Sequence, residues 1–466
     1  MFGKSPPARV PTDTVIPVHF FDDTPLWRAF ILYSMFVFDD LLDPQKLRDS
    51  LEALAQRQGW RKLGARIRRN TKGELEYHIP AQFTNERRAL AYSHVPHDMD
   101  AADHPVASRL PKPCTRPATV GDPDEFRSLF RREGGPTKLD DYLNTDVPQL
   151  GLHIVSFNDK TLVCLYWPHT LMDAMGKRAL LDAWTLMLEG RPGDIQSSHG
   201  AEDVDPHFDP LAGLGKNPTE SHKLTGQRMS LFGLAQYGVT IGDLLSAAAG
   251  SHDGTEAIQD DPFLSEGDVL CAWWTRLAIS HLPRDSHRTV VLNNAYSLRA
   301  PLAADLLPTG SVYVSNAIGF LNVLLPACEI FNKPLSHIAS SIRHAIKDLG
   351  TRAQVEAFAG MWRESQGRLP PFFGDRSMHM ITFSNWSKAR LFETDFSAAV
   401  VTPKDREDRE RGRKPGTPSY IQNNQFGLVL PNGFPIIGKD VQGNYWLSGY
   451  MNKGHWAKIE EQLAKA

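Results

Sequence analysis

A histidine followed four residues later by an aspartate is a spacing that chemistry can use. An imidazole titrates near neutral pH and can take a proton from a weak nucleophile, while a nearby carboxylate can hold the segment that carries it. The pattern alone selects little. It occurs at His19/Asp23, His94/Asp98, His169/Asp173, His199/Asp203, His281/Asp285 and His344/Asp348, six of the seventeen histidines. Context chooses His169. It alone follows a strongly alternating, aromatic strand pattern, ending Tyr166-Trp167-Pro168, and it alone runs through small residues, Ala174 and Gly176, into a helical pattern. That predicts an imidazole at the end of a rigid strand and at a tight turn, where reactive groups are held well. His344 and Asp348 share one predicted helix at i,i+4, where a local side-chain contact is the ordinary explanation. His19, His94 and His199 fall in predicted loops.

Other chemistries are missing. The chain has no GxSxG, no P-loop, no HExxH and no complete GxGxxG, since Gly213 and Gly215 lack a third glycine. His94, His97, Asp98, Asp100, Asp103 and His104 include zinc-type donors, but they sit in a Pro-containing stretch without periodicity. That stretch reads as surface loop, and no metal is expected. Lys+Arg 51 against Asp+Glu 54 gives a net charge of −3, with no basic excess for neutralising phosphates, so a nucleic-acid binder is not expected. Cys114, Cys164, Cys271 and Cys328 lie far apart, which fits a reducing compartment better than a disulfide scaffold. The N-terminus lacks the apolar core of a signal peptide, and the apolar run from Ala29 to Phe38 is half the length of a membrane span. A cytoplasmic protein is expected.

The elements that must position His169 are legible. A buried strand is predicted over 29–38. Asp43-Pro44 then caps an amphipathic helix over 44–57, with Leu47, Leu51, Leu54 and Ala55 at helical spacing. A hairpin is predicted over 65–69 and 74–79, loop over 94–125, strands over 150–156 and 161–167, and a helix over 179–188. The 466 residues are too many for one core. Two domains are expected, 1–190 and 226–466, joined by a Pro- and Gly-rich linker or crossover at 191–225. In the second, Ser265 caps a helix over 266–281. Strands follow near 289–296, 311–325 and 378–385, with a helix over 334–348. The stretches 426–431 and 434–447 suggest a hairpin with Asn432-Gly433 at its tip. Residues 403–416, with six basic and four acidic side chains, read as a solvated loop insertion. Strands and helices mix throughout, so the class is α/β or mixed α+β.

The residues now carry a resemblance. His169-Thr-Leu-Met-Asp173 resembles the HxxxDG signature of the BAHD acyltransferases. Asn294-Ala-Tyr-Ser-Leu-Arg299 with Pro301, Val314-Ser-Asn316-Ala317, Ser384-Asn385-Trp386 and Thr394-Asp395-Phe396 resemble its later motifs, in order. The chain looks like a divergent, fungal-type member, similar to the trichothecene acetyltransferases. Two departures stand out: Ala174 replaces a glycine, and Asp395-Phe396-Ser397-Ala398-Ala399 replaces Asp-Phe-Gly-Trp-Gly.

The resemblance implies two pseudo-symmetric, chloramphenicol-acetyltransferase-like domains, each a mixed sheet flanked by helices. It implies acyl transfer to a hydroxyl or amine of a hydrophobic secondary metabolite by a monomer. The thioester donor would be acyl-CoA, a co-substrate rather than a tightly bound cofactor, or a carrier protein. His169 would be the general base and Asp173 a structural partner of Arg299. Trp386 and Ser384 would face the oxyanion, Asp395 would pair with an arginine, and Asn316 would line the acceptor channel. Trp167 and Phe383 are aromatic candidates for the acceptor pocket. Two other uses of the same scaffold are a CoA-independent cyclisation or rearrangement, and a catalytically silent metabolite binder.

Overall fold

The computed structural model describes residues 7–200, 208–229, 263–402, 413–452 and 454–465. Most of the charged run, 403–412, lies outside the described residues, as does Asp203.

Two five-stranded mixed sheets organise the chain. The first runs in the order Tyr420–Gly427, Phe30–Phe38, Thr161–Pro168, Gly151–Ser156, Ala91–Pro96. Its last pair is parallel and the rest antiparallel. The second runs Ile318–Pro326, Thr289–Ser297, His379–Asn385, Gly433–Lys439, Tyr445–Leu447. There the two inner pairs are parallel and the outer pairs antiparallel. Helices flank each sheet. Pro44–Gln56 packs on Ala174–Leu188, and the Trp184 indole N–H ties them by donating to the Leu47 carbonyl (3.2 Å) and the Ser50 hydroxyl (2.9 Å). Glu266–Ala278 and Leu335–Leu349 cover the second sheet. This is the two-sheet, helix-flanked architecture the resemblance implies.

Each half has its own core, and a third apolar cluster of Phe21, Trp27, Phe30, Leu302, Phe320, Phe358 and Trp362 draws on both. The segment expected as a linker contributes to it: Leu211 and Leu214 are fully buried there.

Several expectations change. The helix expected from 179 begins at Ala174, because Asp173 caps it by accepting the Gly176 amide (2.7 Å). His94 lies on the strand Ala91–Pro96 rather than in a loop, and pairs with the Ser156 hydroxyl; His97 stacks on Phe157. The strand expected over 311–325 begins at Ile318, since backbone groups of 313–317 are engaged by Arg299, Asp22 and Asp173 instead. A helix over Arg352–Glu364 was not anticipated. It is capped by Thr351 and buries Val355, Phe358, Ala359 and Trp362, an i, i+3, i+4, i+7 stripe.

The hairpin around Asn432-Gly433 is corrected. Tyr420–Gly427 belongs to the first sheet, where all eight residues pair in register with Phe30–Phe38; Gly433–Lys439 belongs to the second. A full-length partner strand nearly four hundred residues upstream outcompetes local pairing. Val400–Thr402 crosses likewise to Leu41–Leu42. The stretch 226–466 therefore returns two strands to sheets built by the first half.

Candidate active site

His169 sits one residue past the strand Thr161–Pro168 on a turn held by several backbone hydrogen bonds. Its N–H donates to the Phe30 carbonyl (3.0 Å) and the Leu171 N–H to the Pro168 carbonyl (2.9 Å). The Asn316 amide donates to the His169 carbonyl (2.9 Å), the Tyr77 hydroxyl to that of Thr170 (2.7 Å), and the Trp167 indole to that of Met172 (3.1 Å). The imidazole stacks on Trp27, with centroids 4.3 Å apart and planes at 21°, and Trp27 stacks in turn on Phe320. Nδ1 is buried with no hydrogen bond of normal geometry. Burial holds the ring below the usual histidine range, opposed by its own carbonyl, the Asp173 charge and Asn316. A neutral imidazole on a fixed backbone has the properties of a base.

The Asp173 carboxylate turns away from this ring. Oδ1 accepts from the Gly176 amide and from one Arg299 nitrogen (2.9 Å); Oδ2 accepts from the other (2.8 Å) and from the Ala317 amide (2.9 Å). The pair is bidentate, and Arg299 also donates to the carbonyls of Tyr313 (3.0 Å) and Ser315 (2.9 Å). One arginine thus ties the turn, the cap of the following helix and segment 313–317. Gly176 lets the helix come this close: a Cβ there would lie 1.9 Å from the Val314 carbonyl oxygen.

Behind this lies a layer the motifs did not announce. Buried Asp22 accepts from both the backbone and side-chain amides of Asn316 (2.8 Å each) and faces Lys62 at 3.6 Å; Lys62 also donates to Ser315. Burial raises the Asp22 carboxyl, with Lys62 pulling it down. Asn316, expected in the acceptor channel, instead links Asp22 to the His169 backbone and is itself sealed.

Ser384 and Trp386 meet at the end of the strand His379–Asn385, where the indole N–H donates to the Ser384 hydroxyl (2.8 Å). That bond occupies the N–H expected on the oxyanion and leaves the Ser384 hydrogen without an acceptor among the described residues. Lys177, one turn past Asp173, lies under the Trp386 ring with Nζ 4.5 Å from its centroid. The sequence held a signal for it: Lys177 shares the helical stripe of Leu180, Leu181 and Trp184, all buried.

Three aromatic and acidic assignments are corrected. Phe383 alternates with Ser384 along one strand, so it points to the opposite face, into the core of the second half against Phe434. Trp167 is buried and closes the His169 turn rather than lining an open pocket. Asp395 meets no arginine among the described residues; its carboxylate accepts the Ser397 amide (2.9 Å) and shapes its own loop. The decoy His344 bonds the Ser340 carbonyl within its own helix, and Asp348 faces Lys223.

Comparison with known proteins follows the same lines. No family model matches the chain. It is 41% identical to "Transcriptional regulator calD" of Penicillium decumbens, over 99% of both chains. It is 37% identical to "Acetyltransferase sphE" of Aspergillus fumigatus, over 99% of this chain and 97% of that one, and 34% identical to "Acetyltransferase adrJ" of Penicillium rubens, over 98% and 97%. In fold it resembles F. sporotrichioides TRI101, solved with coenzyme A and T-2 (TM-score 0.62, 15% identity, 97% and 98% covered), and vinorine synthase (TM-score 0.56, 14% identity, 99% and 95% covered). With full-length relatives above 30% identity, the chain belongs to the fungal trichothecene 3-O-acetyltransferase-like branch of the BAHD-type acyltransferases.

Proposed function

We propose that this acyltransferase moves an acyl group, in the first instance acetyl, from acyl-CoA to a hydroxyl of a hydrophobic fungal secondary metabolite, with His169 as general base. The observation that carries the reading is the division of labour between His169 and Asp173. The imidazole is kept neutral on a clamped turn, while the carboxylate is consumed by four donors and holds that turn in place. The neutral ring takes the acceptor's hydroxyl proton as its oxygen bonds to the thioester carbonyl carbon. The oxyanion that forms is met by the Ser384 hydroxyl. Collapse restores the carbonyl, breaks the carbon–sulfur bond and expels the thiolate, to which the imidazolium returns its proton. Hydroxyl acylation and the CoA donor are supported by relatives named acetyltransferases and O-acyltransferases and by a structural neighbour solved with coenzyme A. Both halves of the site come from one chain, which supports a working monomer.

A second reading comes from two relatives named transcriptional regulators. In it the chain binds a metabolite without turning it over. The intact clamp on His169 favours catalysis, and the net charge of −3 offers no basic excess for contacting nucleic acid. The test is release of free CoA thiol, with mass spectrometry of products, from a panel of acyl-CoAs and fungal metabolite extract. Product formation that His169→Ala abolishes supports base catalysis. Binding of a metabolite with no product from any donor would favour the second reading.

A further inference from the structure

The mechanism above does not use the buried charge of Lys177. Lys177 is 1% exposed, yet no carboxylate among the described residues lies within ion-pair range of it. Its Nζ donates to the Ser34 hydroxyl (3.1 Å) and the Asn423 side-chain oxygen (3.1 Å), and its remaining side faces the Trp386 ring at 4.5 Å, with Trp167 farther off at 5.8 Å. Burying an ammonium against hydroxyl, amide and indole is unfavourable compared with placing a methionine of similar length there. Packing alone therefore does not account for the charge.

The charge acts on what it touches. A cation over an indole face draws on the ring's electrons and makes its N–H a better donor. That N–H is given to the Ser384 oxygen. A hydroxyl that accepts a strong hydrogen bond becomes a better donor through its own hydrogen, because bonds in a chain polarise one another. Geometry also sets the limit of the role. Ser34 lies four residues along its strand from Phe30, whose carbonyl holds His169, and at 3.3 Å per residue that is about 13 Å. Lys177 is buried behind Trp386, away from the His169 ring.

We propose that Lys177 is a positioning residue for acyl transfer: its ammonium, the Trp386 indole and the Ser384 hydroxyl form one polarised chain that delivers a strengthened O–H donor to the tetrahedral oxyanion. The proposal rests on Ser384 being that donor. Burial lowers the Lys177 ammonium to about 7, so the chain is charged below that pH and weakens as pH rises through it. From the strands packed around it, Ser34 and Asn423 are neutral, and the one titratable neighbour is the Cys164 thiol, which burial pushes up and keeps protonated. The wild-type protein should therefore lose kcat on the alkaline side of about pH 7.

Four variants test this on the full chain, with thermal melting to confirm folding: Lys177→Met, Trp386→Phe, the double variant and Ser384→Ala. Losing one oxyanion donor typically costs about 10²–10³ in kcat, so weakening it by Lys177→Met should cost about tenfold. KM for acyl-CoA and acceptor should stay within about twofold, and the alkaline limb near pH 7 should disappear. In the Trp386→Phe background, which keeps the ring but removes the N–H, Lys177→Met should cost less than about twofold more. If Lys177→Met does not fold, Lys177→Gln and Lys177→Arg replace it, and only arginine should restore kcat. An unchanged kcat and alkaline limb in Lys177→Met, or a full further loss in the Trp386→Phe background, would overturn the proposal while leaving Ser384 intact. Wild-type kcat in Ser384→Ala would instead remove the oxyanion assignment and the proposal with it.

Discussion

Replacing Asp173 by asparagine exchanges one carboxylate oxygen for an NH₂ group and should reveal what the carboxylate does. Each of its oxygens accepts two hydrogen bonds: Gly176 and Arg299 on one, Arg299 and Ala317 on the other. Whichever way the asparagine amide points, its NH₂ faces two donors. Two bonds are lost, and the guanidinium loses its counter-charge. Breaking a buried pair from one side costs roughly 3–5 kcal/mol. The Arg299 side chain is 20% exposed, so water recovers part of that, and about 2–4 kcal/mol is the working expectation. For a domain of this size each kcal/mol moves Tm by about 2–4 °C, which places the variant roughly 4–16 °C lower. Turnover should fall because the turn carrying His169 loosens. The Asp173 charge raises the His169 pKa, so its removal should move the acid limb of kcat/KM to lower pH. Arg299→Gln should resemble Asp173→Asn, and the double variant should be little worse than either, because both act through one contact. Differential scanning fluorimetry and thiol-release kinetics measure both quantities. Fully additive losses, or a large drop in activity with unchanged Tm and an upward shift of the acid limb, would refute a clamping role.

Other outcomes follow from the same geometry. His169→Ala should lower kcat by about 10²–10⁴ with little change in Tm, whereas His344→Ala, whose ring bonds only within its own helix, should leave thiol release near wild type. Because burial depresses His169, it stays unprotonated below the usual imidazole pKa, and kcat/KM should fall only at pH values under about 6.5; a rate profile with an acid limb above that value would contradict this. Gly176→Ala forces a methyl group against the Val314 carbonyl, so it should destabilise by about 1–3 kcal/mol and lower turnover through Asp173, which a denaturation midpoint and a rate together would show.

What could be read from the residues depended on how far away the deciding partner lay. His169 was separable from five other HxxxD histidines because strand, turn and capped helix are local, and each leaves a mark within about twenty residues. Asp173 with Arg299 came from a motif resemblance, and the four-donor geometry around the carboxylate shows why the pairing is tight. The Asn432-Gly433 hairpin went wrong because its rule is local, while the partner of Tyr420–Gly427 is Phe30–Phe38. Phe383 went wrong for a reason that was available: placing Ser384 toward the reacting groups obliges its strand neighbour to face the other way, into the core. Lys177 lay between these cases. Its position on the buried stripe of its helix was legible from spacing alone, and a charge in such a place always has to be answered by something. What answers it, Ser34, Asn423 and Trp386, comes from three separate strands or strand ends of two sheets, so the charge could be noticed in the sequence but its partners only in the fold. The clamp on His169 and the charge beneath Trp386 stand on the first turn of one helix, Asp173 at its cap and Lys177 one turn on, and that turn is where perturbations of the two clusters should be felt together.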